Sequence, residues 1–193
     1  MVIALAEKEP RTKLPENCIY FDGKSRYLIE IPPGIKPFPH GRTISWVAMP
    51  WQYVCIGVDK YKPWGVKEEA SYHVTSLQLL WSYTKLTSSD DLVRVARLPN
   101  ISGGGLSDGL VCLGNTRRSG STPSAAINQA IENFFASRFN GDYGWPIPYG
   151  KVERWVHESE NNPECWKTWK MSKRYFHPLT YFINIPSIKF KER

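Results

Sequence analysis

One cysteine of the chain stands in a setting that could support nucleophilic chemistry. Cys112 lies in the run GLVCLGN with polar, glycine-containing loops on both sides, whereas Cys18 and Cys55 lie inside apolar, strand-like runs. A nucleophilic cysteine reacts as its thiolate and must be accessible. Arg117 and Arg118 follow closely enough to favour the thiolate if their loop folds back. The alternative is that Cys112 is an ordinary buried residue on a short strand.

The helix that follows this cysteine is the clearest element in the sequence. Thr122 and Pro123 have the residue types of a helix N-cap and a first helical position. Asn140-Gly141 is typical of a left-handed helix stop. Between them, apolar residues recur at the spacing of one buried helical face: Ile127, Ala130, Ile131, Phe134, Phe135 and Phe139. The sequence therefore predicts an amphipathic helix from Pro123 to Phe139 that covers a sheet.

The chain before Cys112 predicts antiparallel strands. Residues 18–31, CIYFDGKSRYLIEI, place a glycine turn between two apolar runs and predict a β-hairpin. The segment 31–41, IPPGIKPFPHG, holds four prolines and is expected to be an extended connector. Further strands are predicted over 43–49, 52–58, 73–83 (where the leucines leave a helix possible) and, as an exposed edge, 92–97. Strands that lead into one amphipathic helix indicate an α+β fold.

Composition divides the 193 residues into three parts. Residues 1–16 are polar and proline-punctuated, and we expect a flexible N-terminal arm. Residues 17–145 hold the predicted sheet and helix and form the main domain. Residues 146–193 are an aromatic-rich, irregular extension that is expected to pack on the same domain. Short helices are predicted over 151–158 and 164–173, and one strand is possible in the tail.

Several classes of protein are excluded by what the sequence lacks. No apolar run is long enough to span a bilayer, and the patch Val2–Ala6 has no basic region before it. We therefore expect a cytoplasmic protein with no membrane partner. The four cysteines include no C-x-x-C pair, and the four histidines have no metal-ligand spacing. The run GGGLSDG is not followed by GK[ST], so no phosphate-binding loop is indicated. Neither a cofactor nor a metal is expected.

The net charge of +7 admits several partners. Nucleic acid, an acidic protein and simple solubility would each be consistent with it. The C-terminal run WKTWKMSKRYF interleaves aromatic and basic residues, which could stack on and clamp single-stranded nucleic acid. The alternative is a solvated amphipathic element. A basic nucleic-acid-binding module is thus a further, less favoured interpretation.

The order of residues around Cys112 resembles the active-site segment of ubiquitin-conjugating (E2) enzymes. The resemblance is carried by Leu98-Pro99-Asn100-Ile101, a glycine-containing loop and Gly109-Leu110-Val111-Cys112-Leu113. From Asn100 through GLVCLGN to NFFASRFN the chain is similar to a prokaryotic E2-like family, PRTRC system protein B, also called prokaryotic E2 family D. The similarity spans residues 92–140. Within it, Leu98 replaces the histidine of the motif, and the loop before Cys112 is longer than in the eukaryotic enzymes.

The resemblance implies both an architecture and an activity. The architecture is an antiparallel β-meander packed against one main helix. The activity is to carry a ubiquitin-like protein as a thioester on Cys112, received from an E1/ThiF-like adenylating enzyme, and to pass it to an acceptor. Asn100 would then donate to the oxyanion, and Asp108, close in sequence, is a candidate for orienting the incoming amine.

Two alternatives stay open beside this interpretation. Asn100 has the residue type of a simple turn former, with no part in chemistry. A fold does not guarantee an activity, so the chain can equally be a non-catalytic E2-fold module that binds a ubiquitin-like protein or scaffolds a complex.

Overall fold

The structure, a computed structural model, describes residues 14–62, 71–102, 109–112, 114, 118–138, 147–169 and 175–190. The strands in these ranges are β1 (Cys18–Phe21), β2 (Arg26–Ile31), β3 (Gly34–His40), β4 (Thr43–Met49), β5 (Trp51–Tyr61), β6 (Ser71–Ser82), β7 (Leu92–Val95), β8 (Ser119–Gly120) and β9 (His177–Pro178). The α-helices are α1 (Pro123–Ala136), α2 (Val152–Asn161) and α3 (Leu179–Phe182). Residues 1–13 of the predicted N-terminal arm lie outside the described ranges.

All strand pairs in the described ranges are antiparallel. The main sheet has the order β1-β2-β5-β6-β7-β9, with β8 also beside β6, and β3 and β4 form a two-stranded sheet of their own. The predicted α+β class is therefore confirmed, as is the hairpin over 18–31, and segment 73–83 is a strand rather than a helix. The expectation that 92–97 is an edge strand is wrong, because β7 pairs with β6 on one side and β9 on the other.

The proline-rich segment 31–41 is not a connector, since it contains β3, which pairs with β4 along its whole length. The register of this pair continues that of β2 and β5, so the four strands form one long hairpin interrupted at its prolines. N–H groups of a strand alternate between its two sides. Pro37 and Pro39 therefore lack N–H groups on the same side, where β3 has no partner among the described strands, and the ladder to β4 is preserved.

Helix α1 packs on one face of the main sheet. The Oγ1 atom of Thr122 accepts the N–H of Ala125 at 3.1 Å, which is the predicted N-cap. Ile127, Ala130 and Phe134 are buried in the core beneath the helix. The strands contribute the following side chains to the same core: Val54, Ile56, Val74, Leu77 and Leu79. The amphipathic spacing thus marks the buried face of α1, as the sequence predicts.

The helix is shorter than predicted. It ends at Ala136, and Ser137, in an extended conformation, donates its Oγ–H to the carbonyl of Phe134 at 2.8 Å. Phe139 and the predicted stop at Asn140-Gly141 lie outside the described residues. None of the helices in the described part of the chain is long and apolar enough to cross a membrane.

The C-terminal segments contribute to both faces of the sheet. Trp155 of α2 is fully buried and donates its indole N–H to the carbonyl of Ala48 at 3.1 Å. Helix α3 lies over the opposite face, where Leu179 packs with Leu28, Tyr53 and Leu80. The helix predicted over 151–158 is α2. Of the helix predicted over 164–173, the described part is a 3₁₀ turn at Cys165–Thr168, and residues 170–173 lie outside the described ranges. The tail, where one strand was possible, begins with α3 and has an isolated antiparallel bridge between Lys189 and Ser88.

Candidate functional site

Cys112 is positioned by the outer edge of β6. Three later segments lie in succession along that edge: β7, residues 109–111 and β8. The N–H of Val111 donates to the carbonyl of Leu77 at 2.8 Å, and the Val111 side chain packs against the core. Side chains alternate along an extended segment. Leu110 and Cys112 are accordingly exposed on the other side.

The structure brings Asn100 and Cys112 together. The segments on either side of the glycine-rich loop form a short antiparallel ladder, in which the N–H of Cys112 donates to the carbonyl of Asn100 at 2.8 Å. The N–H of Ser102 donates to the carbonyl of Leu110 at 2.9 Å. The length of the loop therefore does not separate the two candidate residues. We call residues 98–102 and 109–112 the Cys112 turn.

Asn100 has a left-handed backbone conformation, with φ of 64°, and is only 6% exposed. Asparagine adopts this region more readily than other non-glycine residues. Two residues earlier, Leu98 is fully buried. The turn is thus anchored by an apolar side chain in the core.

The four cysteines differ in accessibility. All are described and free, and Cys112 is the only exposed one. Cys18 and Cys165 are buried. Burial raises the pKa of Cys55 to about 11, so this thiol is protonated at neutral pH. Because a nucleophilic thiol must be accessible, exposure favours Cys112 over the other three, and the raised pKa also counts against Cys55.

The supporting residues predicted from the sequence are only partly placed. Asp108 and Arg117 lie outside the described residues. Arg118 is exposed, and its carbonyl accepts the N–H of Val74 at 2.9 Å. That bond holds Arg118 on the same edge of β6 as Cys112. The effect of its guanidinium on the thiol stays a prediction.

Gly109 is a positioning residue that sequence reasoning missed. Its φ is 85°, and a Cβ atom there would lie 3.1 Å from Cγ of Gln78 and 3.2 Å from the carbonyl oxygen of Leu79. The carbonyl of Gly109 accepts the N–H of Leu79 at 2.9 Å. Glycine is thus required both for the backbone conformation and for the close approach to β6. The available signal was a glycine immediately before the apolar residues that precede Cys112.

A second feature begins three residues before Asn100. A cavity of about 480 Å³ is lined by Arg97, Tyr149, Arg154, Glu158, Thr168 and Trp169. We call it the arginine cavity. Because three residues span at most about 11 Å, the Cα atom of Arg97 lies within that distance of the Cα atom of Asn100. The sequence offered no local signal for this cavity, since its walls come from separate segments.

The aromatic residues of the run WKTWKMSKRYF are mostly unsuited to base stacking. Trp166 and Trp169 are buried, at 3% and 8% exposure. Lys167 lies 2.7 Å from the carboxylate of Glu164. Tyr175 is exposed, and residues 170–174 lie outside the described ranges. Neither tryptophan of this run is therefore available to stack on a nucleic-acid base, which weakens the nucleic-acid interpretation.

No protein-family model, curated protein or solved structure matches the chain. Among the described residues, no group of three or more His, Cys, Asp and Glu side chains is placed to hold a metal ion. The chemistry of the site is therefore inferred from its own residues.

Proposed function

We propose that the protein is an E2-like enzyme that carries a ubiquitin-like protein as a thioester on Cys112 and transfers it to an acceptor. The observation that carries this proposal is the pairing of an exposed cysteine with Asn100, across a backbone hydrogen bond of 2.8 Å. The proposed partner that loads Cys112 is an E1/ThiF-like adenylating enzyme in the cytoplasm.

Loading is an exchange between two sulfur atoms. The Cys112 thiolate attacks the carbonyl carbon of the modifier's C-terminal thioester on the adenylating enzyme. A new carbon–sulfur bond forms to Cys112, and the bond to the adenylating enzyme's sulfur breaks, which releases that sulfur as a thiolate. The acyl group stays activated for a second transfer because a thioester replaces a thioester.

Transfer requires stabilisation of a tetrahedral intermediate. The amine of the acceptor attacks the thioester carbonyl, so that a carbon–nitrogen bond and an oxyanion form, and the nitrogen gives up a proton to solvent. The carbon–sulfur bond then breaks, which leaves an amide on the acceptor and releases Cys112 as a thiolate. A fixed neutral donor near Cys112 would lower the barrier to this step. The side-chain amide of Asn100 is the candidate, because the backbone of Asn100 is hydrogen-bonded to that of Cys112. Asp108 keeps its proposed role in orienting the amine.

A second candidate function is favoured by the same turn. A buried asparagine with a positive φ is also what a purely structural turn requires. A non-catalytic E2-fold module that binds a ubiquitin-like protein, or scaffolds a complex, would keep this turn without using the thiol.

Charging of the purified protein separates the two candidates. The protein is incubated with ATP, an adenylating enzyme and a small ubiquitin-like protein, the last two encoded by neighbouring genes. The mixture is then separated with and without reducing agent. We expect an adduct that thiols remove. Cys112→Ser should give a thiol-resistant ester or no adduct, whereas the matched variant Cys55→Ser should charge normally. Binding of the modifier without any adduct would support the non-catalytic module instead.

A further inference from the structure

The arginine cavity carries an excess of positive charge. Arg97 has no hydrogen-bond or ion-pair partner among the described residues. Arg154 has a loose partner, with its Nε atom 3.8 Å from the carboxylate of Glu158. Both side chains of that pair are substantially exposed, so their mutual stabilisation is small. The lining of the cavity thus has two guanidinium groups, of Arg97 and Arg154, and one carboxylate, which pairs loosely with Arg154 alone.

A third arginine, Arg94, adds to the positive charge around Arg97. Arg94 stacks over the rings of Tyr175 and Phe176, at 5.6 and 5.8 Å from their centroids. Burial lowers the pKa of Arg94, and the nearby charge of Arg97 lowers it further. Arginines that repel each other in this way would be stabilised by a bound anion.

The aromatic part of the cavity wall is held in place by packing. Trp169 packs against Trp81 and Trp155, with ring centroids 5.3 and 5.9 Å away, and its carbonyl accepts the hydroxyl of Tyr83 at 2.9 Å. Its indole N–H is buried and has no acceptor among the described residues. A buried donor without an acceptor is rare and costly in a native protein. Trp169 also lines the cavity, where its indole ring offers a bound ligand an apolar surface.

Tyr149 supplies a strained residue at the same cavity. Its φ is 61°, a region that an aromatic residue seldom adopts. The ring lies 5.3 Å from the guanidinium carbon of Arg154 and stands at 90° to the ring of Trp169. Strain of this kind persists where surrounding contacts enforce it, and it concentrates at ligand sites.

We propose that the arginine cavity binds a small organic anion, whose carboxylate or phosphate group is held by Arg97 and Arg154 and whose apolar body lies against Trp169. Planar guanidinium groups recognise both oxyanions through charge-assisted hydrogen bonds. The volume of about 480 Å³ suits a ligand of this size. This site is independent of the Cys112 thiol, although Arg97 and Asn100 belong to one short stretch of chain.

Proton–nitrogen NMR of the full chain tests the proposal. The reporter is the indole N–H signal of Trp169, which is assigned as the signal that the Trp169→Phe variant lacks. The probes are benzoate and phenyl phosphate, with uncharged benzamide as the matched control. We expect a saturable shift of this signal at millimolar concentrations of at least one anion and none with benzamide. The stronger of the two anions identifies the preferred oxyanion.

Arginine variants show whether the shift reports this site. Arg97→Gln and Arg154→Gln should each weaken binding roughly 10–100-fold, as expected for the loss of a charge-assisted hydrogen bond. Arg42→Gln, in the turn between β3 and β4, should bind like the parent, and so should Cys112→Ser. Thermal unfolding of every variant establishes that it is folded before titration.

Three results would overturn the proposal. One is the absence of a saturable shift with either anion. Another is equal binding of benzamide and benzoate, which would mean that the arginines do not select charge. The third is unchanged anion binding in folded Arg97→Gln and Arg154→Gln, which would place the ligand elsewhere.

Discussion

The Cys112 turn and the arginine cavity share the stretch from Arg97 to Asn100, yet they are built differently. The turn is a local ladder closed by main-chain hydrogen bonds, and its candidate nucleophile is exposed. The cavity joins three distant segments, and Trp169 in its wall is buried. Each contains one of the two non-glycine residues with positive φ that the structure describes, Asn100 and Tyr149.

The difference between those two residues is informative. Asparagine tolerates the left-handed region at little cost, so the conformation of Asn100 has a sufficient explanation in turn geometry. An aromatic residue there costs of order 1–3 kcal/mol and must be held by its surroundings. Backbone strain is therefore stronger evidence for a ligand at the arginine cavity than for catalysis at the Cys112 turn, and the turn depends on chemical tests.

The largest expected effect concerns the side chain of Asn100. Asn100→Ala should leave charging of Cys112 intact and slow transfer to an amine roughly 10²–10³-fold, the loss expected for one oxyanion donor. Single-turnover discharge of the preformed thioester measures it. The control is Asn100→Gly, which keeps the left-handed backbone but lacks the amide. If Asn100→Gly transfers at the parental rate, the side-chain amide of Asn100 has no part in the chemistry and the residue only forms the turn.

The second effect concerns the reactivity of the Cys112 thiol towards an alkylating reagent, which should follow from its exposure. At pH 8 a thiol of pKa about 11, such as Cys55, is ionised only to about one part in a thousand. Limited alkylation followed by peptide mass mapping should therefore label Cys112 first. Labelling of Cys55 should rise with pH up to about 11, because only the deprotonated form reacts. Earlier labelling of Cys55 than of Cys112 in the folded protein would contradict this.

Much of the fold follows from local patterns. The period of apolar residues predicts α1, and β-branched and aromatic content predicts β6 as a strand. The β3 strand was missed because proline is penalised in strands in general, whereas prolines two residues apart leave one ladder intact. The end of α1 was misplaced because a serine C-cap precedes the more familiar Asn-Gly signal.

The candidate sites divide in the same way. Cys112 and Asn100 were found because their residue types and order are recognisable, although their contact depends on strand register that no local pattern specifies. The arginine cavity was missed because Arg97, Tyr149 and Trp169 meet only through tertiary packing. Gly109 was overlooked because its requirement arises from the nearby backbone of β6 and not from its own sequence neighbours.

A third and smaller effect concerns the approach of the turn to β6. Gly109→Ala should lower the free energy of unfolding by about 1–3 kcal/mol, through a positive φ and a Cβ atom in tight contact. Chemical denaturation measures it. The control is Gly114→Ala, where φ is also positive but no atom of the described residues lies within 4 Å of the added Cβ. An equal loss in both variants would mean that backbone conformation, and not the contact with Gln78 and Leu79, requires glycine at 109.

The smallest effect separates strain from side-chain packing at the two positive-φ residues. Tyr149→Gly and Tyr149→Ala both remove the ring, but only alanine keeps the steric cost of the left-handed conformation, about 1–2 kcal/mol. Glycine has the more flexible unfolded chain, which offsets about 0.5–1 kcal/mol of that difference. Tyr149→Gly should therefore be more stable than Tyr149→Ala by up to about 1 kcal/mol, and the pair at Asn100 should show the same order. Greater stability of Tyr149→Ala would mean that position 149 does not hold a left-handed conformation in solution. The strain argument for the arginine cavity would then fail, while the argument from its charges and its aromatic lining would stand.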